Sequence, residues 1–201
     1  MKQNLAVTAA FLVFAVSGIA WYVTNHSFAD TMARNTPNAA KLQELAKGPM
    51  ANFTLIGGDK IAPDVPFVDG KGHVHKLSEF RGRLILVNFW ATWCAPCRKE
   101  MPSLDALKAA LAGPDFDVLA ISLDHSGAGT VRKFLNDVNA RHIGIYVDRT
   151  GRLGRAMDAF GLPMTVLIGR NGREIGHLIG PAEWNSAQAE ALIRAAIAAR
   201  L

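Results

Sequence analysis

The sequence predicts an α/β domain: a central mixed β-sheet flanked by helices, with an N-terminal β-hairpin and a central insert. Three observations predict it. Short apolar runs of strand length alternate with stretches whose apolar residues recur at helical spacing. Their order, β-α-β-α-β-α-β-β-α, contains the crossovers that parallel strands require and ends in a hairpin followed by a helix. Half of the 201 residues are hydrophobic and 19% are charged, which suits a packed core and excludes a disordered chain. The formal net charge of +5 comes without a Lys/Arg-rich stripe, so no nucleic-acid partner is expected.

Residues 5–23, LAVTAAFLVFAVSGIAWYV, carry no charge. A helix of that length rises about 1.5 Å per residue and nearly crosses a hydrocarbon core of ~30 Å. Trp21 and Tyr22 stand at its far end, where amphipathic rings favour the interface. Lys2 and the terminal amine precede it, so the positive-inside bias keeps residues 1–4 in the cytoplasm and exports the rest. The expectation is a single-pass anchor in the bacterial inner membrane. The rival is a cleaved signal peptide, for which the apolar run is long. Residues 24–48 read as a stalk with a short helix ending at Gly48, and residues 49–201 as the catalytic domain facing the periplasm.

Within that domain, Phe67 and Val68, a turn over residues 69–72, and residues 73–75 read as a hairpin. Residues 84–89 are an apolar run of the kind buried on both faces. Helical spacing covers residues 95–112, followed by a second buried strand at 116–123. A helix over 130–139 and a strand over 143–147 come next. Residues 164–168 and 174–179 form a hairpin around Arg170-Asn171-Gly172, and 183–199 is a final amphipathic helix.

The chemistry is concentrated where the first buried strand meets a helix. The only two cysteines, Cys94 and Cys97, lie three positions apart in Trp93-Cys94-Ala95-Pro96-Cys97. Such a pair can close a small disulfide. Free N–H groups and the positive end of the helix dipole favour a thiolate at Cys94, and Arg98 and Lys99 add cationic field. A thiol in this setting titrates at about 3.5–7.5 rather than near 8.5. Cys94 is then the attacking thiolate, and Cys97, deeper in the helix, resolves the mixed disulfide. Structural zinc would need two more ligands, and no His pair at the required spacing supplies them. Haem attachment would need His where Arg98 stands. A bridge closing so small a loop contributes little chain-entropy stabilisation, so a redox role is favoured over a structural one.

These residues, the apolar strand before them, Pro102 in the following helix and Gly161-Leu162-Pro163-Met164-Thr165 resemble the thioredoxin superfamily over about residues 60–199. The resemblance implies a thioredoxin-like fold, a cis Leu162–Pro163 bond opposite the disulfide, and a substrate chain pairing with the Leu162 backbone. It places Trp93, Ala95, Pro96, Leu162 and Pro163 around a bound substrate. The anchor, the early hairpin and the insert near residues 124–142 resemble the TlpA/ResA group of exported reductases, with the runs over residues 88–102 and 180–184 most similar to its TlpA members. That implies protein thiol or disulfide substrates, namely copper-assembly proteins of cytochrome oxidase or apocytochromes, and an upstream membrane thiol reductant. No cofactor and no metal are implied. An oxidant role lacks the His that strong oxidants often carry between their cysteines, and a copper metallochaperone would space its cysteines differently.

Asn88 stands where cytosolic thioredoxins keep a buried carboxylate proton acceptor. The reading therefore gives that role to Asp124, with capping of the next helix as its bland alternative. Glu100 reads as a favourable first-turn charge, Trp90 as core, and His73 with His75 as solvated residues sharing a strand face.

Overall fold

The computed structural model describes residues 37–58 and 60–201. The anchor expected at residues 5–23 lies outside the described residues. Among those described, no helix is long and apolar enough to cross a membrane. Helix α1 (Pro37–Leu45) precedes strand β1 (Phe53–Leu55), then β2 (Phe67–Asp69) and β3 (Val74–His75). Strand β4 (Leu84–Trp90) leads into helix α2 (Ala95–Leu111), β5 (Phe116–Ser122) and α3 (Ala128–Asp137). Then come β6 (Tyr146–Val147), α4 (Arg152–Ala156), β7 (Met164–Ile168), β8 (Glu174–Ile179) and α5 (Ala187–Ala198).

The eight strands form one mixed sheet in the order β1-β8-β7-β4-β5-β6-β2-β3. β4 is parallel to β5 and antiparallel to β7, and every one of its seven residues is buried. Its continuous apolar run follows from that position, because helices cover both faces. Alternate residues point to opposite faces. Leu84, Leu86 and Trp90 join the cluster containing Met101, Leu104 and Leu107 of α2. Ile85, Val87 and Phe89 join the opposite cluster, with Leu153 and Met157. Asn88 shares the face of Leu86 and Trp90, and this delivers its amide to α2.

The structure differs from the sequence reading at the short and irregular elements. β1 has no independent sequence signal. It docks where Gly176 leaves room, since a Cβ there would stand 2.5 Å from the Thr54 carbonyl oxygen. Helix α4 is five residues long and is held by Asp148, whose carboxylate accepts from Leu153 N at 2.8 Å and Gly154 N at 3.1 Å. The strand expected over 143–147 is reduced to β6. The last helix begins four residues later than expected, capped by Ser186, whose hydroxyl accepts from Ala189 N at 3.2 Å. The helix read as stalk contributes Leu42 and Ala46 to the core, and the compact unit begins at Lys41. Apolar residues on one face of a short helix are buried by what they meet, and here they meet the same cluster as α5.

Candidate active site

β4 ends at Trp90 and the chain turns through Ala91, Thr92 and Trp93 into the first turn of α2. Cys94 is the N-cap residue. Its sulfur accepts from Cys97 N at 3.3 Å, and it is disulfide-bonded to Cys97 with the Cα atoms 5.3 Å apart. A thiolate at this position receives a backbone N–H and the positive end of a 17-residue helix. Cys94 is 6% exposed and Cys97 is fully buried. Around them Ala95 and Pro96 are exposed, and Trp93 is 71% exposed, whereas Trp90 is in the core.

Thr92 is held from two sides. Its N–H and hydroxyl donate to Asp124 at 2.9 and 2.7 Å, and its carbonyl accepts from Arg98 Nη1 at 3.1 Å. The Arg98 guanidinium also lies 4.8 Å from the Phe134 ring centroid. Asp124 is buried and takes a third hydrogen bond from the Ser122 hydroxyl at 2.6 Å. This overturns the capping reading of Asp124 and gives its carboxylate a positioning role. The helix after it is capped at Gly127 without any side chain, and the carboxylate is committed to fixing the turn before Cys94. Asp124 positions the nucleophile's loop.

A different carboxyl has the properties sought. Glu100 is 2% exposed, one turn beyond Cys97 on the same buried side of α2. Its oxygens accept from Asn88 Nδ2 at 2.8 Å and Ala182 N at 3.0 Å. Burial pushes its pKa up to about 7, which these two donors only partly offset. The Trp184 side chain also favours the charged form, although its Nε1 makes no hydrogen bond of normal geometry. Asn88 Nδ2 donates as well to Thr165 Oγ1 at 2.9 Å, joining β4, β7 and α2 around one amide. Ser103 completes the network, donating to the Glu100 carbonyl at 2.8 Å and accepting from Trp184 N at 3.1 Å. Glu100 is the functional candidate here, where the sequence alone points to a favourable first-turn charge. The available signal was the amide at position 88, which leaves a buried acid to be found elsewhere.

The Leu162–Pro163 peptide is cis, with Pro163 buried and Leu162 half-buried at the start of β7. Leu162 packs against the cluster that contains Cys94 and Cys97. Phe160 is 80% exposed just before it, and Ile179 stands 3.9 Å from where a Gly161 Cβ would be. His73 and His75 belong to the hairpin instead: His73 pairs with Asp69 at 3.0 Å and His75 with Glu79 at 2.8 Å. Among the described residues no group of three or more His, Cys, Asp or Glu side chains is arranged to hold a metal ion.

With this geometry in place, comparison with known proteins is decisive. The Redoxin family model matches residues 57–193. The chain belongs to the Redoxin family. The thiol–disulfide oxidoreductase ResA of Geobacillus kaustophilus is 34% identical over 119 residues, covering 59% of this chain and 67% of that protein. The thiol:disulfide interchange protein HelX of Rhodobacter capsulatus is 26% identical over 151 residues, covering 75% and 76%. A crystal structure of a DsbE-type thiol:disulfide interchange protein from Chlorobium tepidum superposes with a TM-score of 0.62 at 32% identity, over 72% of this chain and 99% of that one. This Redoxin-family protein has the thioredoxin-like fold of the ResA/TlpA type, and it is a thiol–disulfide oxidoreductase whose redox pair is Cys94–Cys97.

Proposed function

We propose that this protein is a membrane-anchored, periplasm-facing reductase of protein disulfides that serves assembly of the cytochrome oxidase copper centre. One observation carries the mechanism: a cysteine pair capping α2 with a buried carboxyl of near-neutral pKa one turn behind it. In the reduced protein the Cys94 thiolate attacks one sulfur of a partner disulfide. The partner S–S bond breaks, one partner sulfur leaves as a thiolate and takes a proton from water, and the other stays joined to Cys94. Cys97 then passes its proton to Glu100 and attacks Cys94 Sγ. The Cys94–partner bond breaks, the partner's second sulfur leaves as a thiolate that takes a proton from water, and the Cys94–Cys97 disulfide forms. Two electrons have moved to the partner, and an external dithiol restores the pair. A pKa near the working pH suits Glu100 to take a proton and return it in the next cycle.

Trp93, Ala95, Pro96, Leu162 and Pro163 form the surface on which the partner's extended chain lies, with the Leu162 backbone available to pair with it. The uncharged run at residues 5–23 supports the anchor, and the resemblance of residues 88–102 and 180–184 to TlpA supports the copper-assembly role. A Cys97→Ser variant arrests exchange at the mixed disulfide, so the proteins it captures identify the substrate. Copper-assembly proteins are the expected catch. Apocytochrome c dominating it would move the protein to cytochrome c maturation with the chemistry unchanged. N-terminal sequencing of the native protein tests the anchor, and a chain starting near Asp30 would refute it.

A further inference from the structure

The cysteine pair has a border of cations that nothing in the fold neutralises. Lys99 and Arg98 are exposed on the first turn of α2. On the other side, the Thr92–Asp124 bonds lead to His125, whose Nδ1 meets the Arg149 carbonyl at 2.6 Å while Arg149 Nε donates to the His125 carbonyl at 3.1 Å. The same loop continues into α4. Arg155 Nη2 donates to the Thr150 carbonyl at 3.0 Å, and α4 packs Gly154 against Leu123, whose N–H bonds the Trp90 carbonyl at 2.8 Å. Arg152 is exposed on the first residue of that helix. Among the described residues, none of Arg98, Lys99, Arg149, Arg152 and Arg155 forms an ion pair, in contrast to Lys60, Arg83, Lys108 and Arg170. Elsewhere on the segments that build this face, Asp124 and Asp148 are buried and bonded internally, and Lys60 holds Asp158. Glu183 is the exposed carboxylate left over.

Resting on the reductase reading above, we infer that this basic arc is a docking surface for protein partners carrying acidic residues beside the cysteines they present. Cations held in place by carbonyls and not neutralised by a carboxylate give a local field of one sign at the edge of the reacting sulfur. Such a field raises encounter rates with an oppositely charged surface and suppresses partners of like charge. An anionic lipid surface shares the sign, but the arc borders the one group that must meet a protein thiol.

The test uses the full chain in its reduced form and three synthetic peptides, each closed by one intramolecular disulfide and flanked by glutamates, lysines or serines. At low ionic strength kcat/KM for the glutamate peptide exceeds that for the lysine peptide by about tenfold, and the ratio falls towards one at about 0.5 M salt, where the screening length is only a few ångströms. Lys99→Glu with Arg152→Glu, both exposed and without side-chain hydrogen bonds to lose, reverses the preference when each rate is referred to the serine peptide. Equal rates for the two charged peptides, or a ratio indifferent to salt, overturns the proposal. So do undiscriminated peptides together with a serine-peptide rate that anionic but not neutral vesicles slow in the wild type and leave unchanged in the double variant, which assigns the arc to lipid. If the serine peptide is not reduced at all, the reductase reading fails instead, and binding of the same peptides to the oxidised chain, read by anisotropy, still decides the arc.

Discussion

A carboxyl that is buried without a cation beside it binds its proton more tightly in the folded chain than in the unfolded one, and Glu100 is such a group. Its pKa rises from 4.5 to about 7, so stability is lost as pH rises through that interval and is fully present below it. Glu100→Gln removes this slope, so the variant gains on the wild type between pH 5 and 7 by roughly 2–4 kcal/mol, read from urea midpoints of the oxidised protein. The same substitution slows resolution of the mixed disulfide by about 10²-fold or more and flattens its pH profile near neutrality. Asp124→Asn acts differently. An amide keeps an acceptor for Thr92 but loses one of its oxygens, so we expect a stability cost of about 1–3 kcal/mol and an exchange rate whose pH profile keeps the wild-type shape. A profile that loses its neutral inflection in Asp124→Asn, and keeps it in Glu100→Gln, would return the proton to Asp124. Cys94 and Cys97 were legible from spacing alone because their chemistry is local. Glu100 was not, since its burial depends on Ala182, 82 residues further along the chain.

At the scale of elements, the β2–β3 hairpin is tied to the following turn by one imidazole. His75 Nδ1 meets Glu79 at 2.8 Å, its Nε2 lies 3.6 Å from Asp69, and the rings of Phe67, Phe80 and Tyr146 surround it. The hydrogen bond to Glu79 raises the His75 pKa above 6.5, and His75 in turn lowers that of Glu79 below 4.5. The imidazolium's contribution is therefore complete below pH 6.5 and lost as pH rises through its higher folded value, while the carboxylate's is lost as pH falls through its own. Amide protection in residues 67–80, taken relative to the intrinsic base-catalysed rate at each pH, should be greatest between these limits and fall above neutrality, and His75→Gln should abolish that dependence. The long elements were legible in the sequence. β4, β5 and β7 are apolar runs in the middle of the sheet, and burial on both faces writes itself into composition. β8 is legible instead from the Arg170-Asn171-Gly172 turn that pairs it with β7. β1, β6 and α4 were not, because three, two and five residues carry no period and are held by Gly176, by neighbouring strands and by Asp148.

For the molecule as a whole, the boundary of the folded unit lies earlier than the change in composition at Pro49 suggests. Leu42 is 2% exposed and shares the core with α5. Leu42→Ala is expected to cost about 2–4 kcal/mol, and a chain beginning at Pro49 should lose at least that much, whereas one beginning at Pro37 keeps the midpoint of the intact protein. Thermal or urea unfolding of the three separates these outcomes. The sheet's order carries a further consequence. Its two outer strands are β1, three residues long, and β3, two residues long. The sheet thus ends on both sides in stubs too short to template a neighbour. A second copy finds little at either margin to extend, so copy-to-copy growth of the sheet is disfavoured by where the sheet stops.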